Sequence, residues 1–300
     1  FAVIHLDPNS NTADVLSLHP ALYVSLTSSM RGVTSELDLD ISKIKDLMVI
    51  GELQNPPIPL AYALYQLEEV FAVNIDGYIL IPPSMNDDLG AVSGSPSPWE
   101  TLSLEKGYGE WSHKWGEYWI DNLSRVSVLQ VWMNREELPG IGSNIEITDL
   151  YQFVQDLRSV PEDNISVLSP EKDMISKVID ERGETVNTMG TSAIDEMLAE
   201  FGRDERMERE QARIEVLNGT SLNGLGYRFS RWVDHLGGDV IRVKNAPEKL
   251  QRTVIYVTDP EKYAYTLERV QTLWEEVEVV QGRPEYITTG DIVIVLGMDF

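Results

Sequence analysis

The segment "DIVIVLG" (291–297) constrains the fold more than any other stretch of the chain. An apolar run without alternation predicts a strand that is buried on both faces, because a half-exposed strand would place polar residues at every second position. Strand and helix patterns alternate in the ninety residues around it. We predict strands at 213–217, 239–245 and 252–258, and helices near 222–236 and from Asp259-Pro260 to about Trp274. This alternation predicts a smaller α/β domain over residues 212–300.

A separate α/β domain is predicted over residues 1–170. The first 26 residues predict two strands joined by a polar turn at Asp7-Pro8-Asn9-Ser10, then a third extended piece after Pro20. Helical spacing covers 58–73 and 107–132, and Thr148 is the predicted N-cap of a further helix. Strand patterns occupy 77–82 and 164–170.

The composition changes between these two domains. Residues 171–211 are polar and charged, which predicts a linker that contains one helix. An apolar stripe at helical spacing is expected to dock on its own protein; its members are Ile194, Met197, Leu198 and Phe201. The predicted fold class is therefore α/β, with two α/β domains over 1–170 and 212–300.

The negative charge of the chain argues against nucleic acid as a partner. The 24 basic and 49 acidic side chains give a net charge of −25. Such a surface repels nucleic acid, which is bound through Lys and Arg. Four arginines (Arg203, Arg206, Arg209, Arg213) alternate with acids, which is typical of a solvated helix surface. We predict no nucleic-acid partner.

The paucity of reactive and membrane-spanning features narrows the chemistry and the location expected for the protein. The chain contains no cysteine, so disulfides, thiolate metal sites and a cysteine nucleophile are excluded. It contains no apolar run of about 18 residues that could span a membrane. The chain opens on "FAVIHL" without an initiator Met, and we expect a segment upstream of Phe1 to supply a membrane anchor.

The glycine-punctuated segment "RIEVLNGTSLNGLGYRF" (213–229) raises the question of a phosphate-binding loop. Gly219 and Gly224 have the Walker separation, but Leu225 and Gly226 stand where Lys and Ser or Thr are required. The dinucleotide fingerprint fails on spacing as well. We therefore predict a tight strand-to-helix turn with close helix packing.

An aromatic helix is the main candidate for ligand binding. Trp111, Trp115 and Trp119 recur every four residues and share one helix face, with Tyr118 beside them. If exposed, they would form a platform for sugar rings, with Glu110, Glu117 and Asp121 as acceptors. If buried, they would either line an apolar pocket for a prenyl chain or pack the core. The candidate ligand-binding residues are Trp111, Trp115, Tyr118, Trp119 and Arg125.

Other chemistry finds no support in the sequence. The histidines His5, His19, His113 and His235 lack metal spacing. His5 and His19 either face each other across the first hairpin or are satisfied sheet histidines. The carboxylates Glu110 and Glu117 carry no weight as a glycosidase pair among 49 acids. No G-x-S-x-G elbow or calcium loop is present. We assign no catalytic residue, no metal ligand and no cofactor.

The last ninety residues resemble the C-terminal domain found after LytR-CpsA-Psr enzymes. The resemblance is carried, in order, by "VLNGTSLNGLGYRFSRWVDHLGGDVIRVKNAP", "RTVIYV" and "DIVIVLGMDF". The family gives this domain no agreed chemistry.

Residues 1 to about 169 resemble the LytR-CpsA-Psr core in pattern and order. The resemblance is carried by the opening strands, "SKIKDLMVIGE", "LEEVFAVNIDGYILI" and "NIEITDLYQFVQDL". It implies a cell-envelope protein with a three-layer core. Active members attach glycopolymers to peptidoglycan from a polyprenyl-pyrophosphate carrier, with arginines, aspartates and Mg²⁺.

This chain departs from that pattern at the implied site. Pro20 and Ala21 stand where the resemblance implies Arg and Asp in S-I-P-R-D, and only Arg125 survives from an arginine-rich stretch. Residues 1–170 carry eight basic and 24 acidic side chains. The family's first motifs would precede Phe1.

Three functional hypotheses follow. The first is an extracytoplasmic protein that binds peptidoglycan or another cell-wall glycan without catalysing transfer. The second is an active phosphotransferase, which would require Mg²⁺. The third is an interaction module whose C-terminal domain docks an envelope protein. In all three, contact with the membrane is made only through the upstream anchor.

Overall fold

We describe the protein from a computed structural model that covers residues 1–7, 10–26, 41–80, 108–125, 142–180, 182–274, 276–286 and 288–299. The predicted turn residues Pro8 and Asn9 and the last part of the helix predicted over 107–132 lie outside these residues. The chain divides into two compact units. One contains 1–70 and 74–202, and the other contains 71–73 and 203–300.

The first sheet of the N-terminal unit is built on the predicted hairpin. Strand β1 (Ala2–Asp7) pairs antiparallel with β2 (Thr12–Ser17), and β2 pairs parallel with β7 (Ile165–Leu168). All three strands agree with the prediction. Apolar side chains of β2 are fully buried, whereas those of β1 are half-buried, which places β2 at the centre of the order β1-β2-β7.

Two helices complete this part of the core. Helix α3 (Tyr108–Arg125) contacts β2 and β7, and α4 (Ile147–Ser159) contacts α3 and β1. Their buried side chains, Ile120 and Leu157, join the cluster formed with Ala13 and Val15. The N-cap of α4 is Glu146, so the prediction of Thr148 was wrong by two residues. Thr148 lies inside the first turn, where a β-branched residue is tolerated.

The remaining described elements before residue 165 connect and flank this core. They are β3 (Tyr23–Ser25), β4 (Ile41–Lys43), a 3₁₀ turn at Ile44–Asp46, α1 (Leu47–Glu52), α2 (Pro59–Phe71), β5 (Ile79–Leu80), β6 (Gly142–Ser143) and a second 3₁₀ turn at Glu162–Asn164. Helix α2 confirms the helix predicted over 58–73. Strands β5 and β6 form an antiparallel pair.

Residues 171–211, predicted as a linker that contains one helix, are largely structured. Strands β8 (Ile175–Ile179) and β9 (Thr185–Met189) form a hairpin, and the second sheet has the order β4-β3-β9-β8. Helix α5 (Thr191–Met197) follows, and the N-terminal unit extends to Gly202. The composition misled the prediction because β8 exposes three of its five residues.

The predicted apolar stripe in this segment is buried. The exposed fraction is 7% or less for each of its members, which are Ile194, Met197, Leu198 and Phe201. Phe201 lies against the ring of His5, with 6.2 Å between centroids. The stripe therefore packs within its own unit, as predicted.

The C-terminal unit is a single five-stranded sheet with helices. Its order is β11-β10-β14-β12-β13, in which only the β12–β14 pairing is antiparallel. The strands are β10 (Arg213–Asn218), β11 (Asp239–Asn245), β12 (Val254–Val257), β13 (Glu278–Gln281) and β14 (Ile292–Leu296). The helices are α6 (Glu205–Glu210), α7 (Leu225–His235) and α8 (Ala264–Gln271).

Strand β14 lies between β10 and β12, and all five of its residues are buried. Ile292, Ile294 and Leu296 join the main core with α7 and α8, whereas Val293 and Val295 belong to a smaller cluster with Leu217. Burial on both faces is therefore confirmed. Strand β13 was not predicted, and α8 is shorter than expected.

No helix in the described ranges combines the length and the apolarity needed to cross a bilayer.

Candidate functional site

The predicted aromatic residues come together on α3. The ring centroids of Trp111 and Trp115 are 5.4 Å apart, and those of Trp115 and Tyr118 are 5.1 Å apart in an edge-on arrangement. Trp119 stands 6.1 Å from Trp115. These four residues form one cluster, which we call the aromatic cluster.

Burial corrects the hypothesis of an exposed sugar platform for three members of the aromatic cluster. Trp111, Trp115 and Tyr118 are between 4% and 5% exposed, and only Trp119 is partly accessible. Aromatic rings with no open face cannot stack on a sugar ring. Trp119 is therefore the member of this cluster that a ligand could reach without repacking.

Arg125 is the last residue of α3, and the position of its side chain lies outside the description. The three acids of the same helix have partners or lie on the surface. Glu110 is 3.3 Å from Lys114 Nζ, and Glu117 is 3.5 Å from His113 Nε2, each one helical turn apart. Such exposed pairs contribute little to stability and do not form a paired-carboxylate site.

His19 extends the aromatic cluster beyond the end of β2. Its ring meets Trp111 edge-on, with centroids 4.3 Å apart. Its Nδ1 accepts a hydrogen bond from the backbone N–H of Ala21 at 3.0 Å. Burial lowers the pKa of His19 to about 4, so the ring is neutral at pH 7. Because Nδ1 accepts, the proton lies on Nε2.

Two buried hydroxyls lie where β2 meets α3. Ser17 Oγ and Ser112 Oγ have no hydrogen-bond partner among the described residues, although both side chains are at most 1% exposed. Gly116 allows the approach, since a Cβ there would meet Val167 Cγ1 at 2.4 Å and Ser17 Cβ at 3.4 Å. Buried polar groups without partners are uncommon in folded proteins.

His5 and His19 do not face each other. In the β1–β2 pair, His5 lies opposite Asp14, whose carboxylate accepts the backbone N–H of Gly202 at 3.1 Å. Burial raises the pKa of Asp14. His5 is thus a sheet histidine, the second of the two predicted alternatives.

Among the described residues no group of three or more His, Asp or Glu side chains is placed to hold a metal ion. At the position where the family resemblance implies Asp, Ala21 supplies only its backbone. We therefore derive no chemistry through a metal.

The glycine-punctuated loop uses its own backbone donors internally. Gly219 N–H donates to Leu296 O at 2.9 Å, and Thr220 N–H donates to Asn218 Oδ1 at 2.9 Å. Leu222 N–H donates to Thr220 Oγ1 at 3.0 Å. A Cβ at Gly219 would lie 2.7 Å from Leu296 O, which explains the glycine. The predicted structural turn fits this geometry better than a phosphate loop.

Sequence reasoning missed the buried carboxylate of the C-terminal unit. Glu215 in β10 is fully buried, and its Oε2 accepts Arg242 Nε at 2.9 Å and Arg242 Nη2. Its Oε1 accepts Thr289 N–H at 2.5 Å and Gly290 N–H at 2.7 Å. Burial favours a raised pKa, but these donors outweigh it and hold the pKa of Glu215 below its usual value. The sequence feature that could have revealed this carboxylate is that Glu215 is the single acid within the predicted strand "RIEVLN".

Residues 211–300 match the family described as LytR cell envelope-related transcriptional attenuator. These residues therefore carry the C-terminal domain of the LytR family, as the sequence predicted. The match covers under a third of the chain, and the family of the remaining residues is a proposal.

Solved structures provide a second comparison. A transcriptional regulator from Enterococcus faecalis is 11% identical, with a TM-score of 0.48 over 65% of this chain and 78% of that chain. Bacillus subtilis TagV is 15% identical, with a TM-score of 0.43 over 65% of this chain and 84% of its own. TagT, in a structure bound to LIIa-WTA, is 11% identical, with a TM-score of 0.43 over 65% and 80%. No curated protein matches the chain.

Proposed function

We propose that this protein acts at the cell envelope as a binding protein for a cell-wall glycan or an envelope protein, and that it does not catalyse glycopolymer transfer. The observation that carries the proposal is the family match of residues 211–300, because the matched family is described as cell envelope-related. The N-terminal unit is proposed as a LytR-CpsA-Psr core that has lost the transfer site.

The chemistry of residues 17–21 supports the second part of the proposal. Transfer from a pyrophosphate carrier requires positive charge where negative charge develops on the leaving group. Here the turn carries a neutral His19, Pro20 and Ala21 in place of a charged cradle. Residues 1–202 hold 11 basic against 32 acidic side chains, which is an unfavourable field for a diphosphate.

The aromatic cluster supplies the proposed contact with a glycan. Trp119 offers a partly accessible ring, and the exposed Glu117 and the half-buried Asp121 lie close to it in sequence on α3. An aromatic face with nearby carboxylates suits the apolar face and hydroxyls of a sugar. Arg125, at the end of the same helix, is the proposed polar contact.

The first test combines lipid analysis and a transfer assay on protein purified with its native N-terminus. We expect mass spectrometry of organic extracts to find no polyprenyl phosphate, and we expect no transfer from a polyprenyl-pyrophosphate-linked saccharide to peptidoglycan. Transfer above the level of heat-denatured protein would overturn the non-catalytic assignment.

A second test addresses the glycan contact itself. Titration with soluble peptidoglycan fragments should quench tryptophan fluorescence, and Trp119→Ala should weaken binding about three- to tenfold through the lost ring contact. Tyr151→Ala is the matched control, because Tyr151 is an exposed aromatic residue of the same unit at 50% exposure. Equal effects of the two substitutions would remove Trp119 from the site.

A further inference from the structure

Strand β11 forms one open edge of the C-terminal sheet. It follows β10 in the order β11-β10-β14-β12-β13 and is seven residues long. A register shift opposite Ile214 and Glu215 interrupts its first half, whereas the pairing from Arg242 to Asn245 is regular. An unprotected edge presents backbone N–H and C=O groups that can pair with another strand.

The hydrogen bonds define which residues of β11 face outward. Ala246 N–H donates to Asn218 O of β10 at 2.9 Å. Because successive residues of a strand point in opposite directions, Lys244 and Arg242 also direct their backbone groups toward β10. The N–H and C=O groups of Val243 and Asn245 therefore point away from the sheet.

The two faces of this edge differ in chemistry. On the helix side, Val243 is 38% exposed and lies beside Gly226, where a Cβ would approach Val243 Cγ1 to 3.2 Å. The next residue of α7, Tyr227, is 56% exposed, and Leu222 in the preceding loop is 41% exposed. We call Leu222, Tyr227 and Val243 the edge patch. Of the three, Val243 lies on β11 itself and offers apolar contact to an added strand on this face.

The opposite face of the edge carries charged side chains, of which Asp239 and Lys244 are exposed. The Arg242 side chain binds Glu215, which lies on the face away from the helix-side residues Ile214 and Val216. Lys244 shares the face of Arg242, is exposed, and forms no ion pair within the described part of the chain. An acidic residue on the added strand would meet Lys244 directly.

We propose that β11 binds an extended acidic peptide by strand addition, with its apolar side chains on the edge patch and its carboxylates against Lys244. Charge selects this occupant over a second copy of the chain. Two antiparallel copies of β11 would bring the Lys244 side chains of both copies onto one face, and like charges across strands are destabilising. The proposal rests on the C-terminal unit alone and is independent of glycan binding by α3.

The test uses the full chain and a labelled, capped eight-residue peptide that alternates valine and glutamate. We expect saturable binding by fluorescence anisotropy, and at least roughly tenfold weaker binding of the matched valine–lysine peptide. Hydrogen exchange should slow at the amides of Val243 and Asn245 and change little at Lys244, whose amide already faces β10.

Two variants separate backbone pairing from charge. Val243→Pro removes an outward N–H without breaking the β10–β11 ladder, and should weaken binding roughly tenfold, whereas Val243→Thr should not. Lys244→Glu should invert the preference between the two peptides while the protein stays folded. The proposal is overturned by no binding, by unchanged binding in both variants, by protection of other segments, or by protection that depends on protein concentration alone.

Discussion

The two units differ in how their strands are arranged in sheets and buried. In the C-terminal unit one sheet holds five strands, and β14 at its centre is buried on both faces. In the N-terminal unit the described strands are divided among sheets of three, four and two strands. A continuous apolar strand can be predicted from the sequence, whereas a short, half-exposed strand has no distinctive pattern. The unit with the clear pattern is also the one that matches a family.

Charge sharpens this contrast. Residues 1–202 have a net charge of −21, from 11 basic and 32 acidic side chains, whereas residues 203–300 have a net charge of −4, from 13 and 17. Nearly all of the acid excess therefore belongs to one unit. The C-terminal unit pairs its charges within the fold, as in the Arg213–Asp291 and Arg242–Glu215 bonds.

The largest expected effect tests the buried ion pair of the C-terminal unit. Glu215→Ala should lower the free energy of unfolding by about 3–5 kcal/mol, because Arg242 and the N–H groups of Thr289 and Gly290 lose their acceptor. Urea denaturation followed by circular dichroism measures the change. Glu278→Ala, an exposed acid on β13, is the control and should change stability by less than about 0.5 kcal/mol. Similar effects of both would show that the Glu215 network is dispensable.

The second prediction separates the units by pH. Folding lowers the pKa of His19 from 6.5 to about 4, so between these values the unfolded state binds the proton more tightly. The stability contributed by the neutral ring is therefore complete above pH 6.5 and is lost as the pH falls toward 4. The loss is at most about 3 kcal/mol. The carboxylates Glu215 and Asp291 have lowered pKa values, so the C-terminal unit should lose stability only below their unfolded values.

The measurement compares wild type with His19→Gln in urea titrations from pH 7 to pH 4. The difference between them isolates His19 from Asp14 and Glu68, whose pKa values are raised by burial and act in the opposite direction. A constant difference across this range would mean that folding does not lower the pKa of His19.

The third prediction concerns the packing of α3 on β2 and β7. Gly116→Ala should destabilise the N-terminal unit by about 1–3 kcal/mol, because the new methyl group overlaps Val167. Gly190→Ala is the matched control, since no atom lies within 4 Å of a Cβ there. The measurement is the thermal unfolding midpoint of each variant compared with that of the wild type. A harmless Gly116→Ala would indicate that the helix can move away from the sheet.

The smallest expected effect lies on the surface of the C-terminal unit. Arg209 and Glu205 form an exposed pair one turn apart on α6. Arg209→Ala should reduce stability by only about 0.3–0.5 kcal/mol, and 1 M salt should remove the difference. A larger change that persists in salt would assign Arg209 a role other than this pair.

The sequence predicted those elements whose local pattern agrees with their final burial. The "DIVIVLG" strand and the hairpin of β1 and β2 are examples. It failed at β8 and β9, because residues such as Ser176 and Lys177 face solvent and the hairpin depends on pairing with distant β3. It also failed at β13, which has only four residues at the sheet edge.

The sequence predicted which residues form the aromatic cluster, but not whether their rings are buried or exposed. The spacing of Trp111, Trp115 and Trp119 placed them on one face of α3, but spacing alone cannot tell a buried face from an exposed one. Their burial depends on His19 and on elements far away in sequence. The Glu215 network was missed for a similar reason, since Thr289 lies 74 residues from its partner.

The position of β14 has a consequence for synthesis of the chain. It is the last of the described strands, yet it occupies the centre of its sheet and pairs with β10, 78 residues earlier. Until the ribosome has released it, β10 and β12 each lack their inner neighbour, and no sheet of this order can close. The sheet of the C-terminal unit can therefore be completed only once β14 has left the ribosome, and a chain that stops before Ile292 would expose two apolar strand edges to chaperones and proteases.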